Sequence, residues 1–193
     1  MDSNGRIWII FEGASPTLLW RDENGWHDGG LRGLETGYYS AFSLAVDASG
    51  KLHLACFAFP QYTVNYGVQQ GERWQMMVVD RGNALATDSA AMAFDHHGQL
   101  HVAFYDTAQV VHFLSGEAGG WQEQTVSISN AILTPPALQL LFDLANRPHI
   151  FYWNNAPNSV GPLVHAFRDD SGWTAESVPL NHQMIANHTA YSR

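Results

Sequence analysis

Several protein classes are excluded by what this sequence lacks. It has one cysteine, Cys56, so no internal disulfide can staple the chain. Nine lysines and arginines stand against eighteen acidic residues, giving a formal net charge of −9, and the nine cations are scattered. Nucleic acid and anionic membrane surfaces call for a basic patch that neutralises phosphates, so neither is expected as a partner. No apolar run approaches the ~18 residues needed to cross a bilayer. The opening MDSNGRIWII lacks the basic-then-apolar form of a secretory leader, and the compartment stays open. There is no G-x-S-x-G elbow, no phosphate-cradling glycine loop ahead of a helix, and no long helix is expected. No cofactor is expected.

What the chain does have is short apolar runs. It is 46% hydrophobic and 14% charged, the balance of a folded protein, and 193 residues suffice for a sizeable core. Seven Trp, seven Tyr and ten Phe favour strands.

The runs repeat. MDSNGRIWIIF from Met1, VDASGKLHLACF from Val46, FDHHGQLHVAF from Phe94 and FDLANRPHIFYW from Phe142 align on Asp2, Asp47, Asp95 and Asp143, which are 45, 48 and 48 residues apart. Three residues after each Asp stands Gly5, Gly50, Gly98 or Asn146. Glycine and asparagine tolerate positive φ, so each D-x-x-G/N predicts a tight hairpin turn. A further strand follows (TLLWR, TVNYG, VVHFL, LVHAF), then a polar turn ending at Trp26, Trp74, Trp121 or Trp173, then a fourth strand. FSLAVD, AAMAFD and LQLLFD lead into the next Asp.

Four antiparallel strands in about 48 residues, repeated, predict an all-β β-propeller with four repeats per chain. A β-sandwich is the rival, but it would not return one turn at equal spacing. The expected blades are residues 1–39, 40–87, 88–134 and 135–185, with 186–193 as a closing strand. The first blade has no innermost strand of its own, and the tail NHTAYSR is placed to supply it. Three closures satisfy this phase: a four-bladed ring in one chain, an eight-bladed ring from two copies, or a piece of a longer propeller. A homodimer is the leading expectation for a partner.

Six residues after each Asp comes Trp8, His53, His101 or His149. Metal ligation needs donors within about 2 Å of one ion. Equivalent positions on separate blades point apart, so these histidines are expected to be scaffold residues bonded within their blades, with no metal. His96 and His97 are expected to be solvated turn residues, and Cys56 a small core residue.

D-x-x-G-x-x-H with a later Gly-Trp turn resembles the sialidase-like propellers with BNR or Asp-box repeats. RDENGW (21–26) and RDDSGW (168–173) keep an acid, a glycine and a tryptophan of the Asp-box pattern at shortened spacing. The resemblance implies a propeller fold and an Asp box that is structural. It also implies an arginine cluster and a Tyr–Glu nucleophile pair for sialidase activity. Neither can be assigned here: Arg6, Arg21, Arg73, Arg147 and Arg168 fall on the turn side.

Function in a propeller is expected on loops joining strands two to three and four to one. There Tyr62, Tyr105, Asp106, Trp153, Asn154 and Asn155 offer aromatic faces for stacking on a sugar ring and polar groups for its hydroxyls. The alternative for Tyr105 and Trp153 is packing between blades. Glu12 and Asp106 occupy similar loop positions in the first and third units, as a carboxylate pair for glycoside hydrolysis would require, but no catalytic residue is assigned. The expected function is a non-catalytic module binding carbohydrate or a protein partner. A sialidase-like glycoside hydrolase and an oligomerising structural module or propeller fragment are the alternatives. The sequon Asn187-His188-Thr189 falls in the expected closing strand.

Overall fold

The computed structural model describes residues 4–11, 16–29, 31, 34, 38–81, 90–106, 110–116, 120–126, 138–153 and 163–179. Glu12, Asn154, Asn155, the sequon and the expected closing strand lie outside these residues.

The described chain is all β, in four antiparallel sheets, each a meander in chain order. The first sheet has three described strands, β1 (Ile7–Phe11), β2 (Thr17–Asp22) and β3 (Gly25–Gly29). The second has β4 (Tyr38–Val46), β5 (Leu52–Phe59), β6 (Thr63–Gln70) and β7 (Arg73–Arg81). The third has β8 (Ala90–Phe94), β9 (Leu100–Tyr105), β10 (Val111–Ser115) and β11 (Gln122–Val126). The fourth has β12 (Gln139–Phe142), β13 (Pro148–Trp153), β14 (Leu163–Asp169) and β15 (Gly172–Ser177). Strand β8 lies against both β4 and β12, and β1 lies against β4. No described helix is long and apolar enough to cross a membrane.

The repeated turns have the expected chemistry. Gly5, Gly50 and Gly98 adopt φ of 77°, 85° and 78°, and Asn146 adopts 61°. In each of the last three turns the aspartate fastens the hairpin with its side chain. Asp47 Oδ1 accepts from the backbone N–H groups of Ser49 (2.8 Å) and Lys51 (2.9 Å). Asp95 does the same for His97 and Gln99, and Asp143 for Ala145 and Arg147. The Asn146 side chain also ties its turn to the preceding one. Its Oδ1 accepts from His96 N at 2.7 Å, and its Nδ2 donates to Asp95 Oδ2 at 3.2 Å. A glycine there would relax the backbone but lose that link.

The other carboxylate oxygen meets the histidine six residues on. His53 Nε2 lies 3.1 Å from Asp47 Oδ2, His101 Nε2 3.4 Å from Asp95 Oδ2 and His149 Nε2 3.3 Å from Asp143 Oδ2. On the other side, His53 Nδ1 shares a hydrogen bond with the Tyr66 hydroxyl. The phenylalanine preceding the next aspartate packs against the ring: Phe94 on His53 at 4.8 Å and Phe142 on His101 at 4.7 Å between centroids. All three histidines join a strand to its own turn, and His53 and His101 also reach the next sheet, whereas His149 Nδ1 bonds His165 Nε2 within its own sheet. Among the described residues no group of three or more His, Cys, Asp or Glu side chains is placed to hold a metal ion.

The near face of each sheet is the one toward the preceding sheet, and the far face is the other. The core is three layers of far face against near face. Leu18 of the first sheet meets Leu52, Leu54, Cys56 and Trp74 of the second. Ala55, Phe57, Val64 and Tyr66 meet Leu100, Val102, Phe104 and Leu114 of the third. Ala103, Tyr105 and Phe113 meet Ile150, Tyr152, Val164 and Ala166 of the fourth. Each fully buried Leu, Ile, Val or Phe among them contributes about 1.5–3 kcal/mol. Sheets covered on both sides read as continuous apolar runs: all six residues of β9 are buried. Sheets covered on one side alternate, as in β13, where only every second residue is buried.

Candidate functional site

The expected loop residues do not share one environment. Among the described ones Tyr62 is the most available, 42% exposed with φ 53°, and packs edge-on against Phe59 at 5.2 Å. Trp153 is half-buried at the end of β13, paired with Leu163 on the far face of the fourth sheet. Tyr105 is 1% exposed inside the core between the third and fourth sheets. Burial, then the neighbouring Tyr152 and Asp106, push its hydroxyl well above the ordinary tyrosine range. Asp106 is 8% exposed, and both of its oxygens are engaged. Oδ1 accepts from Val110 N at 2.8 Å, and Oδ2 lies 2.8 Å from His112 Nε2. His112 Nδ1 in turn bonds Glu123 on β11. Asp106 is thus a hairpin clamp like Asp47, again with a histidine six residues on.

A better-formed recess lies elsewhere, at the turn end of the sheets between the first and the second. In the first unit the histidine position is taken by Trp8, and the residue paired with it across β2 is Trp20, paired in turn with His27 on β3. The three rings form a ladder on the far face. Trp8 and Trp20 are 5.5 Å apart and tilted by 31°, and Trp20 and His27 are 5.2 Å apart and stacked within 14°. His27 Nε2 lies 2.9 Å from Asp22 Oδ1, which holds the outer end of the ladder. That contact, together with the Asn24 backbone N–H, keeps the Asp22 carboxyl below its ordinary range.

Gly29 makes the ladder possible. A Cβ at that position would stand 2.8 Å from Cζ3 of Trp20, so only glycine lets the indole lie across β3. The second sheet supplies the opposite wall through the β6–β7 turn. The result is a cavity of about 520 Å³ lined by Arg6, Trp8, Trp20 and Asp28 from the first sheet, and by Gln69 and Glu72 from the second. Two indole rings, a guanidinium, an amide and the Glu72 carboxylate converge there; Asp28, paired with Leu19 and alternating with His27 and Gly29, has its side chain on the near face. That set offers stacking to an apolar ring face and both donors and acceptors to hydroxyls around it. The sequence signal for it is the exception in the repeat: the one unit with tryptophan in place of histidine, followed by a second tryptophan in TLLWR.

No family model matches the chain, and no curated protein does. Among solved structures it is similar to a fucose lectin from Kordia zhangzhouensis in complex with methyl-fucoside, at 16% identity over 72% of this chain and 99% of that one, with a TM-score of 0.52. It is similar to the Aleuria aurantia lectin, a fungal lectin with a six-bladed β-propeller fold and a fucose recognition mode, at 12% identity over 91% of this chain and 57% of that one, TM-score 0.57. It is also similar to an α-L-arabinofuranosidase from Clostridium thermocellum, at 12% identity over 93% of this chain and 71% of that one, TM-score 0.60. This chain therefore spans little more than half the length of the Aleuria lectin. At such identities the likeness shows the fold alone, which is of the β-propeller type.

Proposed function

We propose that this chain is a non-catalytic carbohydrate-binding module, and that the cavity between its first and second sheets receives a sugar residue. The observation that carries this reading is the Trp8–Trp20 pair facing the recess beside Arg6, Gln69 and Glu72. A sugar presents an apolar face of C–H groups and a rim of hydroxyls, and this wall has a partner for each. The likeness to two lectins that recognise fucose supports the class and makes methyl-fucoside the first probe. Tyr62 and Trp153, the more available aromatics of the set expected from sequence, are proposed as a second contact surface on the loops at the opposite end. A sialidase-like kinship is part of this proposal.

Calorimetric titration with methyl-fucoside, alongside a panel of other monosaccharides, tests the reading. Saturable binding is expected, weakened at least tenfold, or about 1.4 kcal/mol, by Trp20→Ala and by Arg6→Ala. Tyr62→Ala and Trp153→Ala separate the loop surface from the cavity. Absence of saturable binding to every sugar, or full affinity in both cavity variants, refutes the assignment. The second reading is glycoside hydrolysis, favoured by the Glu72 carboxylate at the cavity and by the likeness to the arabinofuranosidase. Release of dye from aryl glycosides that is lost in Glu72→Gln would replace binding by catalysis.

A further inference from the structure

The repeat provides its own measure of which surfaces are built to be covered. Seven residues after the aspartate of each unit stand Ile9, Leu54, Val102 and Ile150. The last three are 0% exposed on near faces, while Ile9 is 42% exposed. Nine residues after it stand Phe11, Cys56, Phe104 and Tyr152, at 60%, 0%, 2% and 1%. The turn tryptophans follow the same rule. Trp74 is 5% exposed, Trp121 sits edge-on to Tyr66 at 5.8 Å, and Trp173 sits edge-on to Phe113 at 5.1 Å. Each of these three rests on the sheet before it. Trp26, on the first sheet, is 56% exposed.

The fourth sheet shows the converse. Its far face carries Phe151, Trp153, His165 and Phe167, all half-buried, with Leu141 at 46% exposed. The matching positions of the second sheet, Ala55, Phe57 and Tyr66, are at 0–5% under the third sheet. Among the described residues, the first sheet thus has an uncovered near face and the fourth an uncovered far face, the two halves of a contact made three times internally.

We propose that the near face of the first sheet docks on the far face of the fourth sheet of a second copy of this chain, in the same far-to-near manner as the internal layers. Continuity with those layers selects this occupant: a partner with unrelated chemistry would not need Ile9, Phe11 and Trp26 in register with Leu54, Cys56 and Trp74. The contact is head-to-tail, so two copies satisfy each other's faces when the rotation closes. The junction also completes a second recess of the kind lined by Trp8 and Trp20. Arg147 stands four residues after its aspartate as Arg6 does, and His149 and Phe167 pair across the strands as Trp8 and Trp20 do. Glu23 and Asn24 of the second copy then take the place of Gly71 and Glu72. This second pocket rests on the sugar-binding reading; the docking rests on burial alone.

Light scattering on a size-exclusion column, with circular dichroism to confirm folding, tests the docking. The full chain is expected above its single-chain mass of 21.4 kDa, at twice that value for a closed pair. Trp26→Arg disables the near face and Leu141→Arg the far face, so each variant alone is expected as a single chain. Mixed, they retain one intact junction and are expected to restore the doubled mass. A folded wild-type chain at 21.4 kDa up to millimolar concentration overturns the proposal, whether the ring closes within one chain or continues into further sheets. A Leu141→Arg variant that stays paired alone also overturns it, because that outcome means like face on like face. Sugar stoichiometry is read separately: two sites per chain in the assembly support the second pocket, and one site leaves the docking intact while refuting that pocket.

Discussion

Truncation of Ile150 to alanine, set against the same change at Ile9, puts the layered architecture to a quantitative test. Both residues are isoleucines at the same register of equivalent strands, so chemistry and local geometry are held constant. Ile150 is 0% exposed, with Tyr105 and Val111 in the same core cluster, and a cavity opened there is closed off from water. Removal of three carbons from such a site costs about 2–5 kcal/mol, the transfer loss plus a cavity penalty. Ile9 is 42% exposed, so part of its side chain is already hydrated and water fills the space left behind. With about half of a ~2 kcal/mol transfer term and no cavity, Ile9→Ala is expected to cost about 1 kcal/mol. Urea unfolding followed by tryptophan fluorescence reads the difference. At an m-value of roughly 2 kcal/mol/M, Ile150→Ala moves the midpoint down by about 1–2.5 M and Ile9→Ala by about 0.5 M. The comparison is made at a protein concentration where the mass is that of one chain. Equal losses for the two variants, or a loss below about 1 kcal/mol for Ile150→Ala, refute the far-to-near layering. If the docking holds, the cost of Ile9→Ala rises with protein concentration toward that of Ile150→Ala.

The hairpin turns give two opposed results. Gly98→Ala forces an L-residue into φ 78° and is expected to cost about 1–2 kcal/mol, whereas Asn146→Gly, which relieves φ 61°, is expected to destabilise nonetheless, because it loses the bonds to His96 and Asp95; thermal melts of both decide, and a more stable Asn146→Gly would refute the role of that link. Burial opposes the charge of Asp47, but hydrogen bonds from Ser49, Lys51 and His53 outweigh it and hold its carboxyl at about 2, below the ordinary 3.8. A folded value below the unfolded one adds stability above about pH 4 that is lost as pH falls toward 2, so urea midpoints are expected to drop across that window, less steeply in Asp47→Asn. Burial pushes His101 below the ordinary 6.5 against the pull of Asp95, so the unfolded chain takes up that proton first and stability begins to fall below about pH 6.5; a flat profile from pH 7 to 5 would contradict it. Gly29→Ala is expected to displace the Trp20 ring and weaken methyl-fucoside binding about tenfold or more while the circular dichroism spectrum is unchanged; unaltered affinity would separate the ladder from the binding site.

Much of the fold is legible in the residues alone because it is short-range. An aspartate, a glycine or asparagine three residues on and a histidine six residues on form a turn fastened by bonds that close within seven residues. Composition and spacing are enough to read it, and the sheets follow from its recurrence. The scaffold role of His53 and His149 follows for the same reason. Asp106 and His112 obey the same six-residue rule, and that spacing is the signal that marks Asp106 as a clamp and not a ligand group.

The site is not legible in the same way. Tyr105 and Trp153 hold equivalent positions in their units, yet one is buried and the other half-exposed, because burial depends on whether another sheet follows and not on the strand itself. The recess joins Arg6, Trp8 and Trp20 to Gln69 and Glu72, some fifty residues later, across a gap between sheets that no local pattern encodes. By itself the sequence determined the four units, their hairpins and the apolar register of each strand, since those depend on neighbours within a few residues. Only the tertiary structure decided which of the equivalent faces are covered, and where two sheets stand far enough apart to admit a ligand, since stacking fixes the spacing between sheets and side-chain volumes from both walls fix what remains open.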